Sequence, residues 1–236
     1  LVGRIALISE GLCAFEYDSK FLERGFSISP YVLPLQKKVF VAERDPFDGN
    51  FGVFDDSLPD GWGSLLLDRF LKEQGKELSK LTILDKLSLI GSNGRGALEY
   101  RPDNSFIADS HFKDFDKISS ECKKILEERK IDAHSLEELY KNGGSSGGAC
   151  PKVFAKIDGR EWLVKFRSSF DPKNIGEIEY RYSLLANKCQ IEMPETLLVN
   201  GKYFAVERFD RTPNGRVHTI SASGLLNAHY RLPSLD

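Results

Sequence analysis

Apolar positions change their spacing along the chain, and the changes divide it into three stretches. In residues 1–42 the apolar runs are short and bounded by turn formers: Arg4–Ser9 and Cys13–Tyr17 with Gly3 and Gly11 as punctuation. Val39–Ala42 follows Pro30, Pro34 and the basic pair Lys37 and Lys38. Runs of this length and punctuation predict strands in a hairpin or meander. The turn cluster Asp56-Ser-Leu-Pro-Asp-Gly-Trp-Gly63 then leads into Leu65, Leu66, Leu67, Phe70 and Leu71. Their mixed spacing of three and four predicts a helix. A second helix fits Thr82–Ile90 and stops at Gly91-Ser-Asn-Gly-Arg-Gly96, after which Ala97–Tyr100 reads as a strand closed by Pro102.

The middle stretch is helical and amphipathic. Phe115, Ile118, Cys122 and Ile125 recur at steps of three and four among Asp, Lys, Glu and Ser, the pattern of a helix with one apolar face. Ser135 followed by Glu138 predicts a capping box that opens a short helix, Leu136–Tyr140. Beyond Gly143-Gly-Ser-Ser-Gly-Gly148 the period shortens again. Val153–Ile157 and Trp162–Phe166 are predicted strands joined by Asp158-Gly159, a helix fits Glu177–Asn187, and Thr196–Val199 and Tyr203–Glu207 flank Asn200-Gly201. The predicted fold class is α+β: a β-rich N-terminal subdomain with helices over 1–106, a helical connector over 107–141, and a lobe over 142–236 ordered Gly-rich loop, β, β, α, β, β.

Composition narrows the function classes. Hydrophobic residues at 41% and charged residues at 29% of 236 place the chain among ordinary globular proteins, not disordered or fibrous ones. A net charge of −2 gives no global basic field for nucleic acid. No apolar run reaches the roughly 18 residues of a membrane helix, and the start Leu-Val-Gly-Arg-Ile-Ala-Leu has no signal-peptide pattern. The first residue is not Met, so the chain is expected to lack its natural N-terminus. Cys13, Cys122, Cys150 and Cys189 form no C-x-x-C pair and share no ligand spacing with the histidines. Reduced thiols, a cytoplasmic location and no metal site are therefore expected.

The Gly-rich loop carries the chemistry. A Gly/Ser run reads either as a flexible linker or as a cradle in which backbone N–H groups approach a phosphate closely. It is not a Walker A loop, because Ala149 stands where Lys is required and a strand follows. The order instead suits a protein-kinase N-lobe, in which a strand Lys pairs with a helix Glu. Lys165 ends the second strand, Glu179 lies on the next helix, and Phe204–Arg211 occupies the place of a hinge. Taken singly, Lys165 reads first as a strand-end lysine and Glu179 as a solvated helix charge; the four features in order are what point to the kinase arrangement.

The chain resembles the HipA family of bacterial serine/threonine kinases, the toxins of type II toxin–antitoxin pairs. The resemblance rests on Gly52-Val-Phe-Asp-Asp-Ser-Leu-Pro-Asp-Gly-Trp-Gly63, Leu66-Leu-Asp-Arg69 and Leu89–Tyr100 in the first part. In the second it rests on Ser145-Ser-Gly-Gly-Ala-Cys-Pro-Lys152, Val164-Lys165, Glu179 and Val206-Glu-Arg-Phe-Asp-Arg211. It implies ATP and Mg2+ as cofactors, with Gly147, Gly148, Ala149, Cys150, Pro151 and Lys152 holding the phosphates. Lys165 would contact the phosphates and pair with Glu179, and the backbone of Glu207, Arg208 and Phe209 would meet the adenine edge. Ser145 would match the serine whose autophosphorylation expels the loop, with Ser146 an equivalent acceptor by sequence. The implied partners are a HipB-like helix-turn-helix antitoxin, through which alone DNA would be reached, and a protein substrate such as an aminoacyl-tRNA synthetase.

The family's catalytic Asp and later metal-binding Asp have no counterpart between Thr212 and Asp236, so no catalytic residue is assigned and a catalytic lobe is expected to be missing. An alternative follows: a non-catalytic split or truncated kinase lobe that binds the antitoxin or a partner subunit. Trp62, amid turn formers, reads as a buried anchor of the first subdomain.

Overall fold

The computed structural model describes residues 1–105 and 114–229. Residues 107–113 of the predicted connector and the terminal Asp236 lie outside the described residues. The architecture is α+β, and its elements gather into two compact units. These units interleave along the sequence. One takes Leu1–Leu58, Leu81–Ser105 and the described residues from His218 onward; the other takes Pro59–Lys80 and the described residues from 114 to Val217.

The first unit is built on an antiparallel sheet of β1 (Gly3–Leu7), β2 (Cys13–Tyr17) and β3 (Val39–Val41), in the order β1-β2-β3. Short helices α1 (Ser19–Leu22) and α2 (Gly52–Asp55) accompany it. Its core is strongly aromatic: Phe15, Tyr17, Phe21, Phe40, Phe51 and Phe54 are buried together with Leu33 and Ile28. The Tyr17 hydroxyl donates to the Leu33 carbonyl at 2.6 Å, which satisfies the polar tip of a buried ring. The predicted strand at Ala97–Tyr100 does not form. Tyr100 is buried instead, and its hydroxyl donates to Ser57 Oγ at 2.7 Å.

In the second unit α3 (Gly61–Glu73) packs on α6 (Ala133–Gly143), with the Phe70 and Tyr140 rings stacked at 4.7 Å. Between α3 and α6 in the chain come α4 (Ile83–Ile90), which belongs to the first unit, and α5 (Phe115–Leu126). Helix α4 opens on a complete capping box, Thr82 with Asp85. The capping box predicted at Ser135 and Glu138 is replaced by an earlier cap. Asp132 accepts from the Ser135 N–H at 2.9 Å, so α6 starts sooner and runs on to Gly143. Aspartate and serine cap about equally well, and the Asp132 carboxylate adds a negative charge at the positive end of the helix.

Beyond α6 the elements follow the predicted order: β4 (Lys152–Ile157), β5 (Arg160–Lys165), α7 (Ile175–Lys188), β6 (Thr196–Val199) and β7 (Tyr203–Glu207). The four strands form one antiparallel sheet ordered β4-β5-β7-β6. Val153, Ala155, Trp162, Val164 and Ala205 are buried, as alternation on one covered face requires. Beyond β7, three elements escaped the sequence reading, as α1 and α2 did earlier in the chain: the hairpin β8 (Arg211–Thr212) with β9 (Gly215–Arg216), and α8 (Ala222–Leu226) of the first unit.

Helix α5 is tied to β7 by Asp116, which accepts from the Tyr203 hydroxyl at 2.5 Å and from Lys202 Nζ at 3.1 Å. The tyrosine hydrogen bond, with the lysine second, holds the Asp116 carboxyl below its ordinary 3.8, and burial with the carboxylate pushes Tyr203 up to about 12. A depressed carboxylate stabilises the fold above its unfolded value, and that contribution is lost as pH falls through its folded one. The Tm advantage of the native chain over Tyr203→Phe should therefore shrink between about pH 7 and about pH 3. A gap that stays constant across that range would remove Asp116 as its origin.

Candidate functional site

Two lysines define the half-exposed face of the β4–β7 sheet. Lys152 opens β4, Lys165 closes β5, and the strand register sets them opposite one another. Directly opposed residues project to the same side of an antiparallel sheet, and like charges there repel. Each ammonium has a separate acceptor. Lys165 Nζ stands 3.2 Å from both carboxylate oxygens of Glu179 on α7, and 5.4 Å from the Phe204 ring centroid. Lys152 is 5% exposed and turns back over the loop, where its Nζ donates to the Gly147 carbonyl. Phe154 and Leu163, paired across β4 and β5, and Val206, opposite Leu163, share this face and are half-buried. The sequence reading did not single out these three; period-two alternation from Lys152 and Lys165 reaches Phe154 and Leu163, whereas Val206 joins them only through the β5–β7 register.

The loop ahead of β4 is shorter than its glycine run. Gly143 is the last residue of α6 and Gly144 its C-cap, leaving Ser145–Pro151 as the connection. A flexible linker is not what forms: Gly143, Gly144, Ser145 and Ser146 are buried, and Ser146 Oγ donates to the Gly143 carbonyl at 2.6 Å. Ser145 is 8% and Ser146 1% exposed, so either hydroxyl reaches a reaction partner only when the loop moves. Gly148, Ala149 and Cys150 are exposed, and Cys150 carries a free thiol. Pro151 is buried, and its carbonyl accepts from Phe166 N–H at 2.8 Å, which anchors the loop's end to that of β5.

What presses the loop into place is the start of α3, 88 to 90 residues earlier in the chain. Trp62 is 1% exposed. Its backbone N–H donates to the Gly148 carbonyl at 3.1 Å and its indole Nε1 to the Lys152 carbonyl at 3.1 Å. The Asp60 carboxylate accepts from the Gly148 N–H. The glycines on either side of Trp62 have no room for a side chain. A Cβ on Gly63 would lie 2.6 Å from the Gly144 carbonyl oxygen, and one on Gly61 2.8 Å from that of Gly148. Trp62 is thus a buried anchor, but of the second unit and not of the first, as its sequence position suggested. The Asp56–Gly63 string divides between the units after Leu58. Its Asp56 takes the Ser221 N–H and hydroxyl at 2.6 and 2.7 Å at the head of α8, while its Asp60-Gly-Trp-Gly63 half serves the loop.

The segment after β7 is held by a buried ionic cluster. Arg208 pairs bidentately with Asp210 at 3.0 and 2.7 Å, lies 4.0 Å from the Phe154 ring centroid, and reaches Glu161 at 3.4 Å. Arg211 joins Asp210 at 2.8 Å, and burial with the neighbouring Arg208 charge holds its guanidinium below the usual value. Of the Glu207–Phe209 backbone expected at an adenine edge, two N–H groups have partners in the fold: Glu207 donates to the Glu195 carbonyl at 2.8 Å and Arg208 to that of Glu161 at 2.9 Å. Phe209 is 66% exposed.

This face fits a polyphosphate. Two ammonium groups, a loop whose Gly148 N–H already holds a carboxylate, and a half-buried apolar strip beside them match the charged and flat ends of a nucleotide. Among the described residues no group of three or more His, Cys, Asp or Glu is placed to hold a metal ion. None of their helices is long and apolar enough to cross a membrane. Comparison with known families gives two matches. Residues 1–101 match the HipA N-terminal domain and residues 144–234 the HipA-like C-terminal domain. No curated protein matches the chain.

Proposed function

The chain belongs to the HipA family of toxin–antitoxin proteins, and from that premise we propose that it is the nucleotide-binding part of a serine/threonine kinase toxin. The observation that carries this reading is the Lys152–Lys165 pair, opposed on one sheet face with Glu179 3.2 Å from Lys165. An ion pair between a strand lysine and a helix carboxylate keeps the ammonium extended toward bound phosphates. Lys152, folded over Gly147, adds a second positive charge at the loop. ATP would supply the transferable phosphoryl group; the chain's own residues bind and orient it. Phe154, Leu163 and Val206 would receive the flat face of the base, and the Glu207 carbonyl with the Phe209 N–H would meet its edge, since the Glu207 and Arg208 N–H groups are engaged elsewhere.

The reading assigns no residue of this chain to the catalytic base or to Mg2+ binding. Ser145 would be the autophosphorylation site. A phosphate of about −1.5 to −2 charge cannot remain in the buried position its hydroxyl now holds, so modification would drive the loop outward. A HipB-like helix-turn-helix antitoxin, a translation-related substrate such as an aminoacyl-tRNA synthetase, and a cytoplasmic location complete the proposal.

Calorimetric titration of the 236-residue chain with MgATP tests it. Lys165→Ala is expected to weaken binding about tenfold or more, the loss of one charge-assisted contact. Equal affinity in the two proteins, or no binding by the native chain, would sink the nucleotide reading. Intact-mass measurement after MgATP incubation reads the modification separately: a gain of one phosphate that Ser145→Ala abolishes supports Ser145 as acceptor.

A further inference from the structure

We propose that Asp60 is a gate on the Gly-rich loop: its carboxylate holds the Gly148 N–H that an incoming nucleotide phosphate needs, so the docked loop and the loaded loop exclude one another. The inference rests on the nucleotide reading above and adds a regulatory residue that lies outside the loop.

Three observations carry it. First, Asp60 is the N-cap of α3 yet makes no side-chain hydrogen bond to its own helix. An N-cap aspartate ordinarily accepts from the second or third helical N–H. Here the second, that of Trp62, donates to the Gly148 carbonyl at 3.1 Å, and the Asp60 carboxylate accepts from the Gly148 N–H. The Gly148 residue is therefore gripped through both its N–H and its carbonyl by the first turn of α3. Second, the grip holds Gly148 at φ +87, a conformation that glycine adopts freely and other residues rarely do. Third, the two halves of the grip differ in burial. Trp62 is 1% exposed and fixed, whereas Asp60 is exposed and can turn away without opening a cavity.

A carboxylate on a loop N–H makes the contact a phosphate oxygen would make. One N–H serves one strong acceptor, and the two anions repel. Nucleotide binding thus displaces Asp60 from Gly148, after which the freed carboxylate can cap its own helix. Trp62, whose N–H takes only the Gly148 carbonyl, keeps the loop registered on α3 through the exchange.

The test uses the 236-residue chain with Asp60→Asn and Asp60→Ala. Hydrogen exchange of peptides covering residues 145–152, without nucleotide, should run about tenfold faster in both variants, as expected when a charged hydrogen bond is lost. MgATP titration should show about tenfold tighter binding by Asp60→Asn than by the native chain. Unchanged exchange in both variants overturns the gate. Faster exchange with equal or weaker MgATP binding also overturns it, because Asp60 then clamps the loop without competing, and the nucleotide reading survives. Failure of the native chain and both variants to bind MgATP overturns the nucleotide reading and the gate with it.

Discussion

Trp62→Ala is expected to cost about 3–5 kcal/mol of stability, the range for removing a fully buried large aromatic. Trp62 is 1% exposed, and its indole is the donor that satisfies the Lys152 carbonyl at 3.1 Å. Truncation leaves a cavity between α3 and the loop and orphans that carbonyl at the first residue of β4. The damage should concentrate where the contacts are. Hydrogen exchange at residues 143–153 should rise toward the global unfolding rate, while the aromatic core of the first unit around Phe15 and Phe54 stays protected. Trp62→Phe keeps most of the buried ring and loses only the indole donor, and should cost about 1 kcal/mol more than the packing change alone. Urea unfolding followed with exchange reads both effects. A Trp62→Ala protein within about 1 kcal/mol of native stability, or one loosened mainly in the first unit, would contradict the anchoring role.

Asp210→Ala carries the second large effect. Asp210 sits between two guanidinium groups, at 2.7 Å from Arg208 and 2.8 Å from Arg211, whose side chains are 7% and 14% exposed. Removing one partner from a buried pair strands its charge, which typically costs about 3–5 kcal/mol. Glu161, 3.4 Å from Arg208 and 45% exposed, is close enough to recover part of that loss, so a value near the lower end is expected. A double replacement of Arg208 and Asp210 by apolar residues of similar volume should be less damaging than Asp210→Ala alone, because the Arg208 charge is then gone and only Arg211 loses its Asp210 partner, with Glu161 still 3.9 Å from it. Denaturant midpoints of the single and double variants decide this. A double variant worse than the single would mean that the cluster acts through its shape and not through charge balance. The same cluster fixes the segment Glu207–Phe209, so Asp210→Ala should also weaken MgATP binding if, as proposed, that segment meets the base.

The sequence by itself determined much of the second unit. Period-two runs broken by Asp158-Gly159 and Asn200-Gly201 specify strands and tight turns locally, and the observed β4, β5, β6 and β7 follow them. Lys165 and Glu179 were legible as a pair because each lies on the element next to the other's, and the order β, β, α leaves a strand-end lysine near the following helix. The HipA motifs were legible as strings of residues. Their physical roles were not. Glycine and aspartate at Asp60-Gly-Trp-Gly63 have the composition of a turn, and the same composition suits a helix start pressed against another backbone.

Only the tertiary structure decided between those uses, because the contact joins residues 88 positions apart and no local period encodes it. It also decided that the Gly/Ser run is packed and not a linker, by supplying the α3 surface that buries it. The opposition of Lys152 and Lys165 depends on strand register, which packing sets. The two units interleave because α3 leaves the stretch that precedes it to pack on α6, and an apolar helix face has no preference for sequence neighbours. Arg208 shows the division most plainly. Its place in Glu207-Arg-Phe-Asp-Arg211 suggested a backbone role and said nothing of its side chain, which the fold buries between Asp210 and Phe154, since a guanidinium out of water must take its partners from the fold.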